Sequence, residues 1–265
     1  MKTISFIAML VLGVSGNAYA LTLFQDNFTG STLNPTNWTT NLYGSCSIAQ
    51  SNGTVVLSSS PYTDSSYTRP VLTTSKGFNQ PISVSGTFKL GSSFNDYFHF
   101  TTRSSGAAAA YYYEPYGLGV EILTPNQYGG PQCSAQFIYT TPSGSTQFCR
   151  TDFSFDTTAV NSYKFIDYGN RAVLYLNGTL ILDSAVDPNF SQGDKVSFTY
   201  IGGGASPTTL GPVTIDAIPY EVTLITKSST NLSSWSSVIT NKIETYNPTE
   251  FYKTDISVTI KPPAP

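Results

Sequence analysis

Charge is scarce in this sequence. Only 11% of its 265 residues are Asp, Glu, Lys or Arg, against roughly 25% in an ordinary globular chain. The 13 Lys and Arg are scattered and outnumbered by 16 Asp and Glu, so the chain offers no cationic footprint for a phosphate backbone, which argues against nucleic-acid binding. One His, His99, excludes a multi-histidine metal centre. Two Met and the lack of any convincing amphipathic helix argue against a helical bundle. Beyond the N-terminus no apolar run approaches the ~20 residues of a spanning helix, so membrane insertion is not expected. Ser, Thr, Asn and Gly fill the gap, with 18 Tyr and 16 Phe.

Residues 1–20 read as a signal peptide. Lys2 supplies the positive start, Ile4 to Val14 the apolar stretch, and Ala18-Tyr19-Ala20 a small-x-small cleavage site. The expected product begins at Leu21 and is secreted to the cell surface or beyond. There a disulfide is permitted. Three cysteines, Cys46, Cys133 and Cys149, allow one bridge and one leftover thiol. Cys133–Cys149 is favoured because the segment between them reads as a hairpin turning at Thr141-Pro142-Ser143-Gly144. That pairing requires a bulge, and Cys46 remains an alternative to either partner.

Alternation of apolar and polar residues dominates the rest of the chain, the mark of strands with one face in a core. Ile82, Val84, Phe88 and Leu90 alternate with Ser83, Ser85, Thr87 and Lys89. Leu118, Val120 and Ile122 oppose Gly119, Glu121 and Leu123. Val196, Phe198 and Tyr200 oppose Ser197 and Thr199, and Val213, Ile215 and Ala217 oppose Thr214 and Asp216. Two apolar runs joined by Asn177-Gly178 predict a type I′ hairpin, whose two central residues both need positive φ. About a dozen strands are expected, in an all-β antiparallel sandwich or jelly roll over residues 21–222. Residues 223–265 are too few for a core of their own and predict a small C-terminal β appendage.

Leu23-Phe24-Gln25-Asp26-Asn27-Phe28-Thr29-Gly30, followed by Leu33-Asn34 and Trp38, resembles the opening of concanavalin A-like lectin/glucanase domains. Leu176-Asn177-Gly178 is similar to the hairpin of their laminin-G-like members, and Val213-Thr214-Ile215-Asp216 to their closing strand. The resemblance spans residues 23–222. It implies two large curved antiparallel sheets whose concave face, in many members, holds glycans. The tail segments Ser229 to Trp235 and Pro248 to Lys253 resemble a short C-terminal module of secreted bacterial proteins.

The superfamily includes retaining β-glucanases, which need two carboxyl groups about 5–5.5 Å apart, set along one strand as Glu-x-Asp-x-x-Glu. Glu121 matches the first Glu, but Leu123 stands in the Asp position and Asn126 in that of the second Glu. Glu114, Asp152 and Asp167 are the other carboxylates able to meet Glu121 in space. Without a partner, Glu121 is either an acceptor for sugar hydroxyls or an ordinary residue of a polar strand face. His99 lies in Tyr97-Phe98-His99-Phe100-Thr101 with no nucleophile motif beside it, so it is expected on a polar face, within reach of a ligand. Tyr111-Tyr112-Tyr113-Glu114-Pro115-Tyr116 offers Tyr112 and Tyr116 as rings for stacking on sugars, against the plainer role of packing. Asp26 and Asp216 match positions where related sandwiches hold a structural Ca²⁺, with carbonyls and water completing its six to eight oxygens.

Three function classes fit these residues. The first is a secreted, non-catalytic carbohydrate-binding sandwich recognising extracellular polysaccharide. The second is a structural or adhesive surface protein that self-associates through strand edges. The third is a glycoside hydrolase with an atypical site.

Overall fold

The structure, a computed structural model, describes residues 21–59, 69–91, 96–108, 115–125, 132–202, 207–228, 236–245 and 257–261. The proposed signal peptide lies outside these residues. All regular structure among them is strand. One eight-stranded sheet contains β1 (Leu21–Asp26), β3 (Cys46–Ser51), β4 (Thr54–Ser59), β6 (Ile82–Lys89), β11 (Asn161–Asp167), β12 (Arg171–Leu176), β13 (Thr179–Ala185) and β15 (Thr208–Ala217). Its order is β13-β12-β11-β6-β15-β4-β3, with β1 also on β15. The seven-stranded sheet contains β2 (Trp38–Tyr43), β5 (Arg69–Thr74), β7 (Asp96–Ser104), β8 (Gly117–Leu123), β9 (Cys133–Thr141), β10 (Gly144–Phe153) and β14 (Lys195–Gly202), in the order β10-β9-β8-β7-β14-β5-β2. All pairings are antiparallel. A third sheet, β17-β16-β18, is made by β16 (Tyr220–Ser228), β17 (Ser236–Thr245) and β18 (Ser257–Lys261).

The expected alternation sets the core. Val84, Phe88, Phe165 and Ile215 of one sheet face Phe98, Phe100, Val120, Phe137 and Phe198 of the other, all at most 1% exposed. Phe98 stacks on Phe88 with centroids 4.8 Å apart, and Phe100 lies 5.0 Å from Tyr163. Burying each such ring stabilises the fold by about 1.5–3 kcal/mol. Asn177 and Gly178 take φ of 49° and 77° and close the β12–β13 hairpin as expected.

Two polar devices tie the sheets together. The carboxylate of Asp26 accepts from Phe28 N (2.7 Å), Asn37 Nδ2 (3.0 Å) and Trp38 Nε1 (2.7 Å), so the opening motif cages Trp38 between Phe24 and Phe28. At the far end of β7, Arg103 bridges to Asp167 of the other sheet through Nε (2.9 Å) and Nη2 (2.6 Å). Its remaining donors reach the carbonyls of Asp187, Phe190 and Gly169.

The favoured disulfide is not formed. All three cysteines are free. The β9–β10 hairpin is present, with a bulge between Gln147 and Cys149, but Cys149 opposes Phe137 and Cys133 opposes Phe153. The two sit four residues out of step, about 13 Å along the strand, and a disulfide needs Cα atoms within about 7 Å. Cys46 lies on the other sheet, its thiol 3.5 Å from the Tyr43 carbonyl. Burial pushes the Cys133 and Cys46 thiols above their usual ionisation range.

Candidate functional site

Pleating sends every second residue of the seven-stranded sheet away from the core. Register then lines these residues into a row across the sheet: Arg150 opposite Gln136, Gln136 opposite Glu121, Glu121 opposite His99, His99 opposite Thr199, Thr199 opposite Val71, and Val71 opposite Asn41. His99 and Glu121, chosen separately from the sequence, are thus direct cross-strand neighbours. His99 Nδ1 lies 3.4 Å from Glu121 Oε1. Gln136 Nε2 donates to Glu121 Oε2. The other ring nitrogen of His99, Nε2, is 2.7 Å from Thr101 Oγ1.

This space exists because residue 119 is a glycine. A Cβ there would stand 2.6 Å from His99 Cε1 and 2.9 Å from Ile138 Cγ1. The next strands extend the polar surface: Ser197 Oγ bridges Thr73 Oγ1 (3.0 Å) and Ser104 Oγ (2.9 Å), and Thr199 donates to the Pro70 carbonyl at 2.7 Å.

The middle of the row is closed to solvent: His99 and Glu121 lie on a polar strand face and are both fully buried. Beside the row, residues 106–108 after β7 reach towards β5 and β2: Asn41 Nδ2 donates to the Gly106 carbonyl (3.1 Å), Ala108 N donates to Tyr43 Oη (3.4 Å), and a Cβ on Gly106 would meet Thr73 at 3.0 Å. Towards the other edge, Arg150 and Asp152 on β10 remain accessible, 3.5 Å apart.

Glu121 has no carboxylate beside it among the described residues. Around it on that face stand His99, Gln136, Gly119 and Leu123, with Tyr97, Thr101, Ser134 and Ile138 on the diagonals. Of the alternative partners, Asp167 is taken by Arg103 on the core side, and Asp152 lies beyond Ser134 and two strands away. Glu114, Asn126 and Tyr112 lie outside the described residues. Tyr116 stands half-buried just before β8, its N–H donated to the Ala107 carbonyl at 2.9 Å. Among the described residues the arrangement orients hydrogen-bond donors and acceptors around a single carboxylate.

The expected calcium pair is not brought together. Asp26 opposes Val213 and so shares the core face of β15, whereas Asp216 opposes Thr22 on the outer face. The Asp26 oxygens already accept three N–H groups, and Asp216 Oδ1 accepts from Thr22 Oγ1 at 2.8 Å. These residues do not fit a shared ion.

Sequence reasoning does not find Gln136, Thr199 and Arg150 as members of this row, or Thr101 beside it. Only strand order aligns them with Glu121, and no local spacing reports it.

Among solved structures, LamAcat from Zobellia galactanivorans matches with a TM-score of 0.53 and 15% identity over 74% of this chain and 97% of its own. The β-glucanase of Bacillus licheniformis matches at 0.53 and 14%, over 75% and 98%. The carbohydrate recognition domain of Emp47p matches at 0.57 and 14%, over 77% and 100%. The chain has the concanavalin A-like β-sandwich fold. At such identities the likeness is one of fold alone, and no protein-family profile and no curated protein matches the sequence. In this concanavalin A-like sandwich, the His99–Glu121 row occupies the outward face of the seven-stranded sheet.

Proposed function

We propose that the protein is a secreted, non-catalytic carbohydrate-binding sandwich for extracellular polysaccharide. The observation that carries the reading is the chemistry of the outward face. A buried sheet face is more simply built from aliphatic side chains, because every polar group on it must find a hydrogen-bond partner. This one keeps His99, Glu121, Gln136, Thr101, Ser197 and Thr199, fully or almost fully buried. Sugars are recognised by groups of that kind, and a carbohydrate recognition domain is among the proteins of like fold.

Glycan contact falls to the accessible end of the row. Arg150 and Asp152 present charged groups there, and the buried Gln136–Glu121–His99 series sets the strand that carries them. Tyr116, and Tyr112 by its place in the sequence, would supply stacking rings at the mouth of β8.

A polysaccharide array probed with the purified protein tests this. Selective binding to one glycan class, weakened tenfold or more by Arg150→Ala (a charge-assisted hydrogen bond lost), is expected, with no reducing sugar released. Release of sugar that Glu121→Gln abolishes would replace binding by hydrolysis. Silence across the array would sink the proposal and leave the self-associating surface protein as the better reading.

A further inference from the structure

The other sheet carries a groove on its solvent side. Its cavity of about 840 Å³ is lined by Tyr168, Tyr175, Lys164, Ser85, Thr214 and Pro212, with others, and falls within the range typical of ligand sites. Register runs Thr214–Ser85–Lys164–Tyr175 straight across four adjacent strands, β15, β6, β11 and β12, a span of about 14 Å at the usual strand spacing.

Two irregularities bracket it. The β15–β6 ladder shifts register between Leu210 and Val213, with Pro212 at one wall, and the β12–β13 ladder shifts between Leu174 and Tyr175 at the other. Bulges of this kind re-aim side chains and break the flat surface of a sheet.

The charge in this groove runs against the rest of the molecule. The chain is acidic overall, yet no described lining residue is Asp or Glu, and the one charged group is Lys164. Lys164 is exposed and forms no ion pair among the described residues. The neighbouring acids are engaged elsewhere, Asp183 by Arg171 and Asp216 by Thr22. Tyr rings, hydroxyls and a free ammonium with no competing carboxylate are the complement of a sugar ring bearing a negative charge.

We infer that this groove is a second glycan site, distinct from the outward face of the seven-stranded sheet, and that it takes an anionic polysaccharide carrying carboxylate or sulfate groups. Tyr175 and Tyr168 stack on the sugar faces, Ser85 and Thr214 meet hydroxyls, and Lys164 Nζ meets the anion.

Affinity electrophoresis of the full chain through gels holding polygalacturonate, a sulfated galactan or laminarin tests this. Retardation in at least one anionic gel is expected, decreasing with salt. Lys164→Gln and Tyr175→Ala should each weaken it about tenfold or more, and substitution of an exposed lysine outside both sites, Lys76→Gln, should leave it unchanged. Which anionic gel responds tells carboxylate from sulfate. Lys164 is exposed, so its variant keeps the test valid even if Tyr175→Ala disturbs folding. Retardation that survives both variants, or that Arg150→Ala alone removes, would place the ligand elsewhere and overturn this site while leaving the proposed function standing. Binding to laminarin alone would do the same.

Discussion

In the middle of the seven-stranded sheet, on β7, β8, β9 and β14, the two faces are built from the same strands and are both buried, yet they hold together by opposite means. Towards the core stand Phe98, Phe100, Val120, Phe137 and Phe198. At the adjacent positions of the same strands stand His99, Thr101, Glu121, Gln136 and Thr199. The first set gains from leaving water and from close ring contacts. The second must recover the cost of desolvation through hydrogen bonds and a His–Glu pair, and at best breaks even. Burial alone therefore does not mark the core of this sandwich. What separates the faces is whether removing side chains from water was the source of stability or an expense.

Substitutions can break that contrast or sharpen it. The largest loss is expected from Phe98→Ala, which removes a ring touching Phe88, Phe100, Tyr163 and Phe198 and should cost about 3–5 kcal/mol in urea unfolding. On the polar face, Glu121→Ala takes the acceptor from Gln136 and the carboxylate from His99, and should cost about 3 kcal/mol or more. The double variant His99→Phe/Glu121→Leu should recover most of that loss, to within about 1 kcal/mol of the parent. A double variant as unstable as the single would mean the polar face serves stability after all.

Gly119→Ala should cost about 1–3 kcal/mol by forcing the His99 ring aside, and a displaced imidazole resonance in NMR would check the cause. Among surface contacts, Arg171 and Asp183 are about one-third exposed. Hydrogen bonding to Arg171 holds the Asp183 carboxyl below its ordinary value of 3.8. The pair's contribution of about 0.2–1 kcal/mol is thus present above that pH and lost as pH falls through the depressed value. Arg171→Ala should narrow the stability difference from the parent in acid and show it in full at neutral pH.

The smallest effect belongs to the core face. The Tyr163 hydroxyl is buried without a hydrogen-bond partner among the described residues, and burial pushes its ionisation far above the usual range. Tyr163→Phe should be neutral or stabilising by up to about 1 kcal/mol, the reverse of what removing a polar group does on the other face.

Much of the architecture is legible in the sequence. Strands β6, β8, β14 and β15 lie where alternation places them, because a period of two reports which side of a sheet is apolar. The Asn177-Gly178 turn is legible because positive φ at two successive residues narrows the choice of side chain. The same logic puts His99 opposite in sense to Phe98 and Phe100. It cannot tell that His99 and Glu121 are buried, since burial depends on chain segments distant in sequence.

Pairings across strands are harder to read. Cys133 and Cys149 share a hairpin but not a register, and Asp26 and Asp216 share a strand pair but not a face. Local sequence determined the class of fold, the inward and outward sets of its strands and the tight turns, because those depend on periodicity and on backbone sterics within a few residues. Tertiary structure alone decided that Glu121 meets His99 and Gln136, that Asp26 anchors Trp38, and that Lys164 lies in a groove with no carboxylate among its described lining residues, because each depends on which strands become neighbours and at what offset.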